Sequence, residues 1–258
     1  MILILKLCIV PLFIGLITLA GRKWGSGVAG LMGAFPVVAG PIIIFIALEQ
    51  GAVFAELTAV SAISATACLM VFGLVYSWTC IRLSWPLSLL IALSTWFFSA
   101  FILAKSSPGL EASIAIAIGS LLITPYLLPK MKVMTPLKST LHDLPWRMLV
   151  GALLTLSVTT LATLLGETWS GILAVFPVIG LVLAVFTHNT LGPAHVTQVY
   201  RGMVKGFYSF TAFFITLSLL LPTTSLLIAS LSAVLSAILA QVLLQFIIQL
   251  TPKLKRQA

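Results

Sequence analysis

The sequence predicts an all-α integral membrane protein of about nine transmembrane helices, arranged as an inverted repeat of four spans, one linker span and four spans. Three observations carry that expectation. First, 60% of the 258 residues are hydrophobic, 7% are charged and mean hydropathy is +1.21, whereas a soluble domain carries about 25% charged residues. Second, apolar runs of about 20 residues, the length that crosses a bilayer, follow one another along the chain. They lack the alternation of the roughly ten-residue strands of a membrane barrel. In lipid every backbone N–H and C=O needs an internal partner, so the runs are expected to be helices. Third, a motif recurs. Ala34 to Gly51 reads AFPVVAGPIIIFIALEQG and Val175 to Gly192 reads VFPVIGLVLAVFTHNTLG. At a spacing of 141 residues, Phe35, Pro36, Val37, Phe45 and Gly51 match Phe176, Pro177, Val178, Phe186 and Gly192.

Taken in order, span one runs from about Ile2 to Ala20 and ends at the turn GRKWGSG. It contains Lys6 and is not followed by a separate small-residue cleavage motif, so it is expected to be retained. Span two, Val28 to Leu48, holds the first motif and ends in Glu49-Gln50-Gly51. Span three, Ala52 to about Cys80, exceeds a bilayer at about 1.5 Å per residue and has to tilt or protrude. Span four is Pro86 to Ala104 and span five Glu111 to Leu128; the polar connection Lys130 to Trp146 follows. Span six is Met148 to Gly166, span seven Gly171 to Thr187, and span eight lies within Gly202 to Leu221, after a more polar helical turn AHVTQVYR. Span nine runs from Thr224 to Leu250, and a basic tail closes the chain. The organisation is residues 1–105 for repeat one, 106–146 for the linker helix and loop, and 147–258 for repeat two with its tail.

Assigning alternate loops to opposite faces sorts the basic residues. Arg22, Lys23, Arg82, Lys130, Lys132, Lys138, Arg147, Arg201, Lys205, Lys253, Lys255 and Arg256 fall on one face, with only Lys6 and Lys105 on the other. The positive-inside rule places the C-terminus in the cytoplasm and the N-terminus outside. The formal charge of +9 is therefore a topology signal and a contact with anionic lipid headgroups, and nucleic acid is not expected as a partner. Equivalent spans are five apart, an odd number, so the two copies run in opposite directions. WGSG (Trp24 to Gly27) is echoed by WSG (Trp169 to Gly171), basic on one side with Arg22 and Lys23 and acidic on the other with Glu167. Inverted repeats whose helices are interrupted by Gly or Pro are the recurring architecture of secondary transporters.

The run GPIIIFIALEQG, with the later FPV and AVFTH, resembles a family of uncharacterised bacterial inner-membrane proteins with two internal repeats. The resemblance extends over most of the chain and implies a multi-pass protein of the bacterial inner membrane. It implies no activity.

The candidate site residues come from the same stretches. Phe35, Pro36, Gly40, Pro41, Phe176, Pro177 and Gly180 surround the interruptions, where proline removes a donor and clashes with the carbonyl four residues back. Freed carbonyls and half-helix ends inside a membrane can bind an ion or a charged group, although a packing kink uses the same residues. Glu49 and Gln50 at one mouth, and His188 and Asn189 at the other, are candidate proton or cation groups; the plainer reading is interfacial polar residues at helix ends. Arg201 and Lys205, one turn apart, suit an anion or a lipid headgroup, and Gly202 and Gly206 beside them form a GxxxG that permits close helix approach. In span nine Ala229, Ala233, Ala237, Gln241, Gln245 and Gln249 form a four-residue ridge suited to helix packing. Cys8, Cys68 and Cys80 have no CxxC spacing. No metal, cofactor or catalytic set is expected, because the chain lacks HExxH, GxSxG and a P-loop.

The function expected is a secondary transporter or exporter of a small, amphipathic molecule, with its site between broken spans two and seven and proton coupling through Glu49 or His188 as an addition. The alternatives are a flippase for a lipid or lipid-linked intermediate, with Arg201 and Lys205 on headgroups, and a non-catalytic subunit of a membrane complex. A closed central cavity favours the transporter, and a lipid-facing groove bordered by the two cations favours the flippase. Continuous, tightly packed spans two and seven favour the subunit. Membrane lipids and an unidentified small molecule are the expected partners, and a homo-oligomer is compatible with the sequence.

Overall fold

The computed structural model describes residues 2–37, 39–132, 143–162, 169 and 172–254, and every regular element among them is a helix. α1 (Ile2–Trp24) turns at Gly25 into α2 (Ser26–Gly33), and a break over residues 34–37 leads to α3 (Ala39–Gln50). α4 (Ala52–Thr79), α5 (Trp85–Ser106), α6 (Leu110–Leu127) and α7 (Leu144–Ala162) follow. A short helical stretch at 172–174 meets the second break, after which come α8 (Val178–Leu191), α9 (Pro193–Leu220) and α10 (Leu226–Leu254).

Among the described residues six helical segments are long and apolar enough to cross a membrane: α4, α5, α6, Ile172–Leu191 across its break, α9, and Leu226–Leu250 of α10. This is consistent with a helical membrane protein. Burial divides them. The apolar windows of α4, Ile172–Leu191 and α9 are 67, 72 and 61% buried, against 22, 22 and 17% for α5, α6 and α10. The first three therefore form the centre. The others turn large apolar side chains such as Phe98, Leu122, Leu231 and Leu243 outward, over more surface than a water-soluble monomer exposes.

The element boundaries repeat at the spacing of the sequence motif. Gly51 (φ 91, ψ 169) and Gly192 (φ 85, ψ 179) both adopt a backbone region that is essentially restricted to glycine. Each launches a helix of 28 residues, α4 and α9. α5 and α10 begin 141 residues apart, at Trp85 and Leu226. α1 runs antiparallel to α7, and α4 to α9. Arg22 near the end of α1 reaches Asp143 just before α7, while Ile14, two turns earlier in α1, lies against Gly151 within α7. In the same way Gly73 of α4 faces the Tyr200 ring near the start of α9, and Leu69, one turn earlier, shares a cavity wall with Phe207.

α2 and α9 meet backbone to backbone. A Cβ on Gly30 would fall on the Val199 carbonyl, and one on Gly202 on the Gly27 carbonyl, so the GxxxG of α9 does bring two helices together at main-chain distance.

Three expectations are refined. Spans two and seven are interrupted helices and not kinked ones. Span eight is one helix from Pro193, whose first turns are the polar AHVTQVYR. The helix of span six begins at Leu144, four residues earlier than Met148, because Pro145 suits a first turn and Asp143 pairs with Arg147 at i,i+4. Lys138, Gly166, Glu167, Ser170, Gly171, Lys255 and Arg256, with the side chains of Lys6, Cys8 and Lys253, lie outside the described residues.

Candidate central cavity at the two helix breaks

Each break is built by its proline. A residue preceding proline is pushed out of the helical region, and proline has no N–H to give the carbonyl four residues back. Pro36 and Pro177 thereby strip Met32 and Leu173 of their usual donors. At both breaks the preceding phenylalanine takes over: Phe35 N–H donates to Met32 O at 3.2 Å and Phe176 N–H to Leu173 O at 2.9 Å. The chain then reverses tightly, with Val37 N–H on Phe35 O at 2.8 Å and Val178 N–H on Phe176 O at 2.6 Å. Each new helix starts from the proline carbonyl, which accepts from Gly40 N–H at 2.8 Å or Leu181 N–H at 2.7 Å. All three bonds recur at the same spacing, so the matching FPV letters are matching turns.

The first break lies about 12 Å along α2 and the second about 21 Å along α8 from the end of the bundle that carries Arg22 and His188, at 1.5 Å per residue over 8 and 14 residues. Both breaks therefore lie within the bundle, away from that end.

A cavity of about 50 Å³ lies where the two breaks meet. Gly33, Ala34, Phe35 and Ala39 line it from one side and Ala174 to Gly180 from the other, with Leu69 and Phe72 of α4 and Tyr200, Met203, Phe207 and Phe210 of α9 completing the wall. Its surface is largely apolar and aromatic. The polar features are the Tyr200 hydroxyl, which donates to Gly180 O at 3.4 Å, and the first turns of α3 and α8. Both helices direct N-terminal residues to the cavity, where the helix dipole is positive, although the N–H groups of Gly40, Val178 and Leu181 are already bonded to Pro36 O, Phe176 O and Pro177 O. Behind the wall Trp96 and Phe97 of α5 pin Phe176, with ring centroids at 5.0 and 6.2 Å. Trp96 is fully buried and its indole N–H has no hydrogen-bond partner among the described residues.

Of the predicted site residues, Phe35, Phe176, Pro177 and Gly180 line this cavity. Pro36 makes the first break without lining it. Gly40 lies against the Phe213 ring, and Pro41 borders a separate small cavity with Phe45 and Thr155. Glu49 and Gln50 are exposed at the far end of α3, and Asn189 is exposed at the end of α8. His188 stands edge-on to Tyr76, with its Nδ1 3.4 Å from the Tyr76 hydroxyl, and is not at the cavity.

Arg201 and Lys205 do not form a pair. Arg201 donates from Nη2 to the carbonyls of Leu128 and Pro129, both at 3.1 Å, closing the end of α6, while Lys205 is exposed. Ala229, Ala233, Ala237 and Gln241 of α10 are buried as one stripe, and Ser88, Ala92, Trp96 and Ala100 of α5 form its counterpart. Gln245 is half-buried and Gln249 exposed.

Sequence reading missed Phe72, Tyr200, Met203, Phe207 and Phe210, which sit in long apolar helices where nothing marks a cavity wall. It also missed Ser26 Oγ with His195 Nδ1 at 2.9 Å and the ion pairs of Asp143 with Arg22 and Arg147. The i,i+4 spacing of Asp143 and Arg147 was the available signal for the last of these. Compared with known proteins, the chain matches no family model, no curated sequence and no solved structure.

Proposed function

We propose that the chain is a secondary transporter or exporter of a small amphipathic molecule, built from two inverted repeats that meet at the central cavity. The observation that carries this reading is the cavity itself, bounded by two equivalent proline breaks at mid-depth. The inverted sense is supported by the antiparallel run of α1 against α7 and of α4 against α9, since parallel copies would align them in one direction. The aromatic wall suits an apolar body, and the N-termini of α3 and α8 suit a carbonyl or anionic end, as half-helix ends do in transporters. The cavity has room for only a few waters, so cargo enters as the breaks part. Arg201 is committed to backbone carbonyls and Lys205 lies away from the cavity, which favours this reading over a flippase. The interruption of both spans and the cavity between them favour it over a packing subunit. The basic residues gathered at one end support a cytoplasmic C-terminus in a bacterial inner membrane.

Alternating access is testable without a known cargo. A single cysteine replacing Ala34, with Cys8, Cys68 and Cys80 removed, is exposed to a membrane-impermeant maleimide in right-side-out and inverted vesicles. Labelling from both sides is expected, and protection in both preparations or access from one side alone would overturn the reading. Counterflow of small indole and naphthalene amphiphiles in proteoliposomes, repeated with and without a pH gradient, then addresses cargo class and proton coupling.

A further inference from the structure

Of the residues lining the central cavity, all are buried except Phe35 and Phe176, the half-buried phenylalanines that stand before the two prolines. A route into the cavity through the flank of the bundle therefore passes one of these two rings.

The breaks differ in what surrounds them. At the second, Ala174, Val175, Pro177 and Val178 are buried around Phe176. Trp96 and Phe97 hold its ring, with centroids at 5.0 and 6.2 Å. At the first, Pro36 and Val37 are half-buried like Phe35, and no ring among the described residues holds Phe35. The half-buried surface continues along α2. Val28, Leu31, Met32 and Phe35 recur at spacings of three and four residues and so share one face, while Ala29, Gly30, Gly33 and Ala34 behind them are buried. Every residue from Val28 to Val37 is apolar.

The first break lies well inside the length of the bundle. α2 separates it from one end by 8 residues, about 12 Å, and α3 from the other by 12 residues, about 18 Å. In a membrane-spanning bundle a flank opening at that level, with no polar side chain around it, meets acyl chains. Irregular backbone is tolerated there only when its polar groups are satisfied. At this break Phe35 N–H and Val37 N–H are bonded locally, and Pro36 has no N–H to satisfy.

We propose that Phe35 is the plug of a lateral portal at the first break, through which the central cavity takes its ligand from the hydrocarbon phase of the bilayer. The proposal rests on the transport reading and narrows its cargo to an amphiphile that partitions into lipid, with an aryl or alkyl body for the wall of Phe72, Phe207 and Phe210. Rotation of Phe35 about its side-chain bonds opens the portal. Phe176 is latched by α5, so the second break stays closed sideways.

Photolabelling tests the route. The full chain in liposomes is irradiated with a trifluoromethyl phenyl diazirine, which dissolves in hydrocarbon, and separately with its para-carboxylate, which stays in water. Adducts are mapped by peptide mass spectrometry. The hydrocarbon probe is expected on Leu231 and Leu243, which face outward from α10, and also on Tyr200 and Phe207 at the cavity. F35W enlarges the plug and is expected to cut the cavity adducts about tenfold, the factor that 1.36 kcal/mol of added barrier gives. F35A is expected to raise them. Unchanged adducts on Leu231 and Leu243 show that each variant is folded and inserted. Cavity adducts from the water-soluble probe alone, equal cavity adducts in F35W and F35A, or adducts on α10 with none at the cavity would each overturn the portal. Counterflow of the naphthalene amphiphiles in the same liposomes separates the two readings. Counterflow that persists when the portal fails leaves a transporter loaded from water. Cavity adducts that follow Phe35 without any counterflow keep the portal and remove transport.

Discussion

Gly202→Ala tests whether α2 and α9 really touch through their backbones. A methyl at that position would overlap the Gly27 carbonyl oxygen, with the Gly27 carbon at 2.8 Å and the Leu31 nitrogen at 2.9 Å. Ordinary carbon contacts lie at about 3.5–4.0 Å, so the helices would have to part by about 1 Å. The obstruction is main chain on both sides and no side chain can rotate away. Overpacking of this kind costs about 1–3 kcal/mol, which in a chain of this size lowers the melting midpoint by several degrees. Gly119 is the internal control, because a Cβ there meets nothing within 4 Å and alanine gains up to about 1 kcal/mol of helix propensity. Melting of the two variants in the same detergent, followed by tryptophan fluorescence, is the assay. If G202A melts no lower than G119A, the close crossing is wrong, and with it the depth assigned to the first break.

Arg201→Gln removes charged donors from the carbonyls of Leu128 and Pro129 and is expected to destabilise the chain by about 1–3 kcal/mol. The loss should be equal in neutral and anionic nanodiscs; a loss confined to anionic lipid would restore Arg201 to a headgroup role. Gly192→Ala forces a side chain into a glycine-only backbone region and is expected to cost about 1–3 kcal/mol, measured by the same melting assay, with no change if the turn relaxes. Phe176→Ala removes the ring held by Trp96 and Phe97 and widens the central cavity, so amphiphile counterflow should fall or change selectivity and the midpoint should drop, by up to about 3–5 kcal/mol of stability. Unchanged flux with unchanged selectivity would detach Phe176 from the site.

Much of the architecture was legible because its causes are local. Proline without an N–H interrupts a helix wherever it falls in an apolar run, so Pro36 and Pro177 announced both breaks, and Gly51 and Gly192 announced the turns after them. Basic residues between runs announced the end of the bundle where Arg22, Arg147 and Arg201 gather. The cavity wall was not legible. Tyr200 and Phe207 look like any aromatic residues of a buried helix, and only the antiparallel contact of α9 with α4 puts them at the breaks. Arg201 misled for a related reason. Its spacing from Lys205 describes one helix face, while its actual partners, the carbonyls closing α6, come from more than 70 residues away in sequence.

If the two halves are equivalent, the crossing of α2 with α9 has a counterpart near the opposite face, and comparing them predicts which side the protein closes at rest. At the basic end the crossing is made by Gly27, Gly30, Gly202 and Gly206. The residues 141 positions away are Thr168, Gly171, Ser61 and Ala65, so three of the four carry a Cβ. Helices meeting through such residues stay further apart, because each Cβ holds the opposing backbone at van der Waals distance. On the transport reading the sequence thus predicts tighter closure at the basic end, with Thr168 and Gly171 outside the described residues, and the Arg22–Asp143–Arg147 cluster ties α1 to α7 there. The expected consequence is kinetic. A cysteine at Ala34 should react faster with an impermeant maleimide added from the face opposite the basic end, and replacing Gly206 with alanine, whose Cβ would meet Leu31 O and Ala34 Cβ, should reduce that bias. Equal rates from the two sides, or a bias that G206A leaves untouched, would mean that the glycine crossing is packing alone and does not set the resting state.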